Sequence, residues 1–314
     1  MLNIYLARGI ALIAFCALTL CSCGDSDAVK KVELRAVDER ASAEREAAPA
    51  ASVLRISVAA IFSPRFSFGN YEDLARYLEA RLGGRVEVSF EKTYAETNER
   101  LKDSESDLAF VCTGGYLSAR HDFPVEVLAV PVVEGRTVYN SLIVVRKDGG
   151  IRRLEDLKGK VLAFSDELSL TGFMYIQTRL AEKGLATGFL GGKLRTGGHD
   201  KSMRAVAEGF ADVASVNSLV YSRLLTGGDP YVRKLSVLET SPAFANPPLI
   251  AREGLSPALK SKVRAVLFGM RSDPDGRHIL EKLGVQRFVA PQAGLYSSAE
   301  ELLKKAARRK AGLE

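Results

Sequence analysis

From Val53 onward, short apolar runs alternate with segments whose apolar residues recur every three or four positions. "VLRISVAAI" is an apolar run, followed by a loop with Ser63 and Pro64. Tyr71, Leu74, Leu78 and Leu82 then fall at helical spacing and stop at Gly83-Gly84, a helix with its terminator. "RVEVSF" alternates as a strand does, and a polar helix near 95–103 leads into the apolar "DLAFVC". "VEVLAVPVV" and "NSLIVVRKDGG" predict two more strands, "RRLEDLKGK" a short helix and turn, and "KVLAFSD" a strand. Phe173, Ile176 and Leu180 mark the helix after it. "KLRTGGHD", "ADVASVN" and "KLSVLET" read as strands, with "KSMRAVAEGF" and "SLVYSRLL" as the helices between. Beyond "PAFANPPLIA" the pattern turns mostly helical, ending in "SAEELLKKAARRK".

Strands alternating with helices predict an α/β protein with open, mostly parallel sheets. Two such units joined by extended crossings give two lobes around a cleft. The boundaries read from the pattern are 52–138 for the first part of lobe 1, 139–239 for lobe 2 and 240–314 for the rest of lobe 1. Ligands in open α/β sheets sit at the carboxyl ends of strands, beside helix N-termini.

"AFSDELSLTGFMYIQTRL" marks one such junction. Ser165, Asp166, Glu167, Ser169 and Thr171 gather between a strand and its helix, ahead of Gly172. One helix cap needs one such residue, so a cluster reads as an anion cradle as well as a cap.

The first fifty residues have a different character. Arg8 precedes "GIALIAFCALTL", which is too short for the roughly 20 apolar residues of a membrane span. It has the layout of an export signal over residues 1–22. Leu20-Cys21-Ser22-Cys23 resembles the lipobox of bacterial lipoproteins, which implies acylation at Cys23 and a periplasmic-side, lipid-anchored location; an ordinary signal peptide is the alternative. Residues 23–51 carry many charges of both signs and few large apolar side chains, the composition of a flexible tether.

The chain has 314 residues, 46% hydrophobic and 26% charged, with a formal net charge of +6. Its basic residues are dispersed and no Lys/Arg block is interleaved with aromatics, so a small anion suits the charge better than nucleic acid. With Cys16 and Cys21 in the signal and Cys23 taking the lipid, Cys112 remains inside "LAFVC" as a buried apolar thiol. One Cys and three scattered His give no metal-ligand spacing, and no cofactor motif is present. Asp107 and Asp212 read as turn residues, and Lys147–Asp148 as a solvated turn. No GxSxG elbow occurs, and His199 and Asp200 are adjacent, so their side chains need not face each other; the chain does not read as an enzyme.

Several segments in order carry a resemblance: "DLAFVCTGGY", "YNSLIVVRKDGGIRRLEDLKGKVLAFSDELSLTG", "GGHDKSMRAVAEGFADVASVN" and "SPAFANPPLIARE". They resemble the phosphate/phosphite/phosphonate-binding proteins of ABC transporters, which are type II periplasmic binding proteins. The resemblance implies a two-lobed fold and a small phosphorus oxyanion held between the lobes. It implies a permease partner for import; a membrane sensor fed by the same module is the alternative, which genetic neighbourhood separates. Position by position it carries a ligand-binding Tyr to Tyr116, a hydroxyl-rich helix start to Ser169, Thr171 and Gly172, and a histidine after a Gly turn to His199. The family's carboxylate falls on Asn217, a departure that implies tolerance of a more fully ionised ligand or of an organic substituent at that corner. Tyr139 and Ser141 are expected to line the cleft. Each of these has a plainer alternative: packing for Tyr116, capping for Ser169, Thr171 and His199, and capping of "SLVYSRLL" for Asn217.

Overall fold

The computed structural model describes residues 53–61, 64–185 and 188–310. Residues 1–52, with the signal, Cys23 and the tether, lie outside the described residues.

The chain opens with β1 (Leu54–Val58), α1 (Pro64–Leu82), β2 (Val86–Phe90), α2 (Tyr94–Lys102) and β3 (Leu108–Phe110). α3 (Thr113–Asp122), β4 (Val125–Val132), β5 (Val138–Tyr139), β6 (Ser141–Arg146) and β7 (Val161–Phe164) follow. Then come α4 (Tyr175–Glu182), β8 (Gly192–Arg195), α5 (His199–Ala207), β9 (Val213–Asn217) and α6 (Ser218–Thr226). The chain continues through β10 (Leu235–Thr240), β11 (Phe244–Ala245), β12 (Leu249–Arg252) and α7 (Pro257–Gly269). α8 (Pro274–Leu283), β13 (Arg287–Val289) and α9 (Ser297–Lys310) close it.

Six strands form one open sheet in the order β13-β4-β12-β3-β1-β2, and five form a second, β10-β6-β9-β7-β8. The sheets are mixed, which corrects the mostly parallel expectation. β1 runs parallel to β2 and β3, and β7 to β8 and β9. β12 is antiparallel to β3 and β4, and β6 to β9 and β10. The physical reason lies in the two passages between sheets, β4 to β6 and β10 to β12. A helical crossover returns a strand in its original direction, whereas a strand arriving from the other sheet enters from the opposite end. The passages pair with each other, Phe244 opposite Tyr139 and Ala245 opposite Val138, a short antiparallel ribbon.

Burial follows the sequence periodicity. Leu74 and Leu78 of α1 pack on Ile56, Leu108 and Leu128 of the first sheet, with Val263 and Leu267 of α7 in the same cluster. Met203 and Val206 of α5 pack with Val144, Ala214 and Val216 of the second. Asp107 accepts from the Arg55 amide at 3.0 Å and from Arg252 at 2.8 Å, tying three strand ends. Asp212 accepts from the Val161 amide at 2.8 Å. Both hold strand ends, consistent with their reading as turn residues. α9 packs against α3, α4 and β11.

Candidate functional site

Five helical segments begin close together. α2 is capped by Thr93 in a reciprocal box with Glu96. α3 is capped by the Cys112 thiol, which accepts from the Gly115 amide at 3.1 Å. A π-turn at Leu170–Met174, capped by Ser169, precedes α4. α5 starts at His199 after Gly197, whose φ of +73° needs a residue without Cβ. α6 is capped by Asn217. Helix starts present unsatisfied N–H groups and partial positive charge, so their convergence favours an anion without any side-chain cation.

The loops touch directly. The Cys112 thiol donates to the Leu168 carbonyl at 3.4 Å, and the His199 amide to the Ile61 carbonyl at 3.3 Å. Asp166 accepts from the amides of Tyr94 at 3.3 Å and Leu168 at 2.9 Å, and from Arg195 at 2.7 Å. That carboxylate is therefore consumed in holding the loops together. Burial pushes the Cys112 thiol up to about 12, so it stays protonated and acts as a cap.

At the centre stand Ser165, Ser169, Gly172 and His199. The Ser169 hydroxyl accepts from the Gly172 amide at 3.0 Å. His199 Nε2 lies 3.5 Å from the Ser165 hydroxyl and 3.4 Å from that of Ser169. Its Nδ1 accepts from the Asn217 amide at 3.3 Å, so the proton of the neutral ring sits on Nε2 and is offered to the serines. His199 is 1% exposed, and burial pulls its pKa from 6.5 down to about 3. The folded chain thus refuses a proton that the unfolded chain takes below about pH 6.5. Stability contributed by the neutral ring is present above that pH and is lost as pH falls toward about 3, at up to about 1.4 kcal/mol per pH unit. His199→Gln should flatten the acid limb of the stability curve by this one-proton slope. Parallel wild-type and variant curves in urea titrations between pH 4 and 7 would exclude it.

A second tier supports the first. The Thr171 carbonyl accepts from Ser141 at 2.8 Å and from Ser215 at 2.5 Å. The Tyr139 hydroxyl donates to Thr113 at 3.0 Å and lies beside the Thr171 hydroxyl, and Thr113 donates to the Ala245 carbonyl at 2.8 Å. Tyr139 and Ser141, expected to line the cleft, are buried and brace the hydroxyl-rich turn.

Two of the expected site residues are engaged by other partners. Tyr116 stacks edge-on against Tyr296 with centroids 4.7 Å apart, and its hydroxyl accepts from Arg120 at 3.5 Å. The reason is helical rotation. Gly114 faces Leu168 and Leu170, and two residues on, about 200° around the axis, the side chain points the opposite way. Asn217 Oδ1 accepts from the amides of Leu219 at 2.8 Å and Val220 at 3.4 Å, so its side-chain oxygen serves as the helix cap, and its backbone N–H donates to His199.

Tyr94 is the residue the sequence reading missed. It is 1% exposed, and its buried hydroxyl makes no hydrogen bond of normal length, the Ser165 side chain being the polar group it interacts with. Burial pushes its pKa well above the ordinary phenol value, so it remains a donor. The missed signal was Thr93 followed three residues later by Glu96, a capping box marking a helix start after a strand. Among the described residues, no group of three or more His, Cys, Asp or Glu is placed to hold a metal ion, and no helix is long and apolar enough to cross a membrane.

Residues 56–296 match a family described as ABC transporter, phosphonate, periplasmic substrate-binding protein. The phosphonates-binding periplasmic protein of Escherichia coli is 28% identical over 218 residues, 68% of this chain and 64% of that protein. The phosphate-import protein PhnD of Mycolicibacterium smegmatis is 26% identical over 209 residues, 63% of this chain and 65% of that one. The chain thus spans just under two thirds of these curated relatives' lengths. A binding component of an ABC phosphonate transporter from Pseudomonas aeruginosa superposes with a TM-score of 0.77 at 22% identity, covering 83% of this chain and 89% of that one. A methylphosphonate-bound protein from Prochlorococcus marinus gives 0.74 at 17%, covering 82% and 98%. At these identities the structures show the fold, that of type II periplasmic binding proteins.

Proposed function

Because the chain belongs to the family of phosphonate-binding periplasmic substrate-binding proteins of ABC transporters, we propose that it captures a small phosphorus oxyanion outside the cytoplasm and delivers it to an ABC permease. The ligand is a phosphate, phosphite or phosphonate. Its oxygens take the Tyr94 hydroxyl, the serine hydroxyls, the His199 Nε2–H and the amides of the π-turn. The observation that carries this reading is the buried Tyr94 hydroxyl, which faces Ser165 and makes no hydrogen bond of normal length. A buried donor left unpaired costs about 1–3 kcal/mol, and an anionic oxygen is the partner that removes the cost.

Recognition here uses neutral donors and helix starts. A neutral histidine donates without needing to be protonated, so affinity does not depend on a positive ring. The proposal includes a lobe pair of residues 52–138 with 240–314, and 139–239, closing about the ribbon of β5 and β11. It also includes anchoring of the body through lipid at Cys23, with residues 23–51 as the leash.

Calorimetry with phosphate, phosphite, methylphosphonate, 2-aminoethylphosphonate and sulfate tests the reading. A phosphorus oxyanion should bind, and sulfate more weakly. Tyr94→Phe keeps the ring and deletes the donor. It should weaken the best oxyanion by tenfold to a hundredfold, since a hydrogen bond to a charged group contributes about 1.5–3 kcal/mol. Unchanged affinity with an intact fold would remove Tyr94 from the site.

A further inference from the structure

We propose that the preferred ligand is a phosphonate carrying an uncharged, apolar alkyl or aryl substituent, housed in a cavity that adjoins the cradle. This rests on the oxyanion reading given above. The cavity, about 470 Å³, runs between α6 and the first sheet. That is ample for a substituent of several carbons. It borders the cradle across Ile61 and Asn217. Both line it, and both are hydrogen-bonded to His199, Ile61 through its carbonyl and Asn217 through its amide. Ile61 also packs against the cluster of Tyr94 and Cys112.

The lining is chiefly apolar, with Tyr71, Phe110, Leu219, Val220, Val285 and Phe288 among it. Its carboxylates, Glu134 and Glu281, are both exposed, so a short ammonium chain near Asn217 finds no buried counter-charge. The Arg223 guanidinium is committed to the carbonyls of Lys282, at 2.7 Å, and Leu283, at 3.0 Å. Ser222 donates to Glu134 at 2.7 Å. These bonds join α6 to the first-sheet side beside the cavity, which Arg223 and Ser222 also line. A cationic tail would thus lie without a buried counter-charge, whereas each buried methylene gains about fourfold in affinity.

The test is calorimetry on the purified protein with phosphate and with methyl-, propyl-, phenyl- and 2-aminoethylphosphonate. Propylphosphonate should bind about tenfold tighter than methylphosphonate, and at least tenfold tighter than the equally long 2-aminoethylphosphonate. Leu219→Glu places a carboxylate on the cavity wall at the second position of α6, where helix starts accept acids. That variant should shift the ratio of affinities at least tenfold from propylphosphonate toward 2-aminoethylphosphonate, each measured against methylphosphonate on the same variant. If methylphosphonate binds and propylphosphonate binds no better, the apolar-substituent inference fails while the oxyanion reading stands. If neither phosphate nor any phosphonate binds, the oxyanion reading fails and takes this inference with it. Should Leu219→Glu not fold, the wild-type series alone decides.

Discussion

Gly172→Ala should cut oxyanion affinity by at least a hundredfold while the protein remains folded. A Cβ built at Gly172 would collide with the Ser165 hydroxyl, and would lie 2.8 Å from that of Ser169 and 2.9 Å from His199 Cε1. These are three of the groups assigned to the ligand. They line the site instead of filling the hydrophobic clusters, so displacing them spares the main core. Losing two hydrogen bonds to a charged ligand amounts to about 3–6 kcal/mol, which is more than a hundredfold. Calorimetry beside circular dichroism checks it. Affinity within threefold of wild type would show that the ligand sits elsewhere.

Gly114→Ala should hold the loops of the two sheets apart. A Cβ there would strike the Leu168 carbonyl and lie 2.7 Å from the Leu170 amide. Both obstacles are backbone, which cannot swing aside as a side chain does. The start of α3 and the turn before α4 must then separate, taking with them the Cys112–Leu168 hydrogen bond. With saturating ligand, solution X-ray scattering should give the variant a larger radius of gyration than wild type, and affinity should fall at least tenfold. Equal radii and equal affinity would mean that this contact plays no part in closure.

The π-turn shows how far sequence reading reaches. Ser165, Ser169, Thr171 and Gly172 stood out because a polar cluster at a strand-to-helix junction is local information, and Ser169 caps that turn. His199 stood out beside its glycine turn for the same reason. The contacts of Tyr116 could not be read from "FVCTGGY", which fixes where a helix begins but leaves open which way each side chain points. Rotation about α3 delivered the residue to Tyr296. Tyr94 was passed over because its role depends on Ser165, 71 positions away, reached only through packing of two sheets.

By itself the sequence determined the alternation of strands and helices, the helix starts and the membership of a fold, since periodicity and capping are properties of neighbouring residues. Tertiary structure alone decided the mixed strand directions, which depend on where each strand re-enters a sheet. It also decided that the Asn217 side chain caps α6 while its backbone N–H orients His199, because a hydrogen bond between residues 18 apart follows from how α5 and β9 pack. The histidine's neutrality has the same origin: only the assembled fold removes water from its ring, and desolvation is what holds the proton off it.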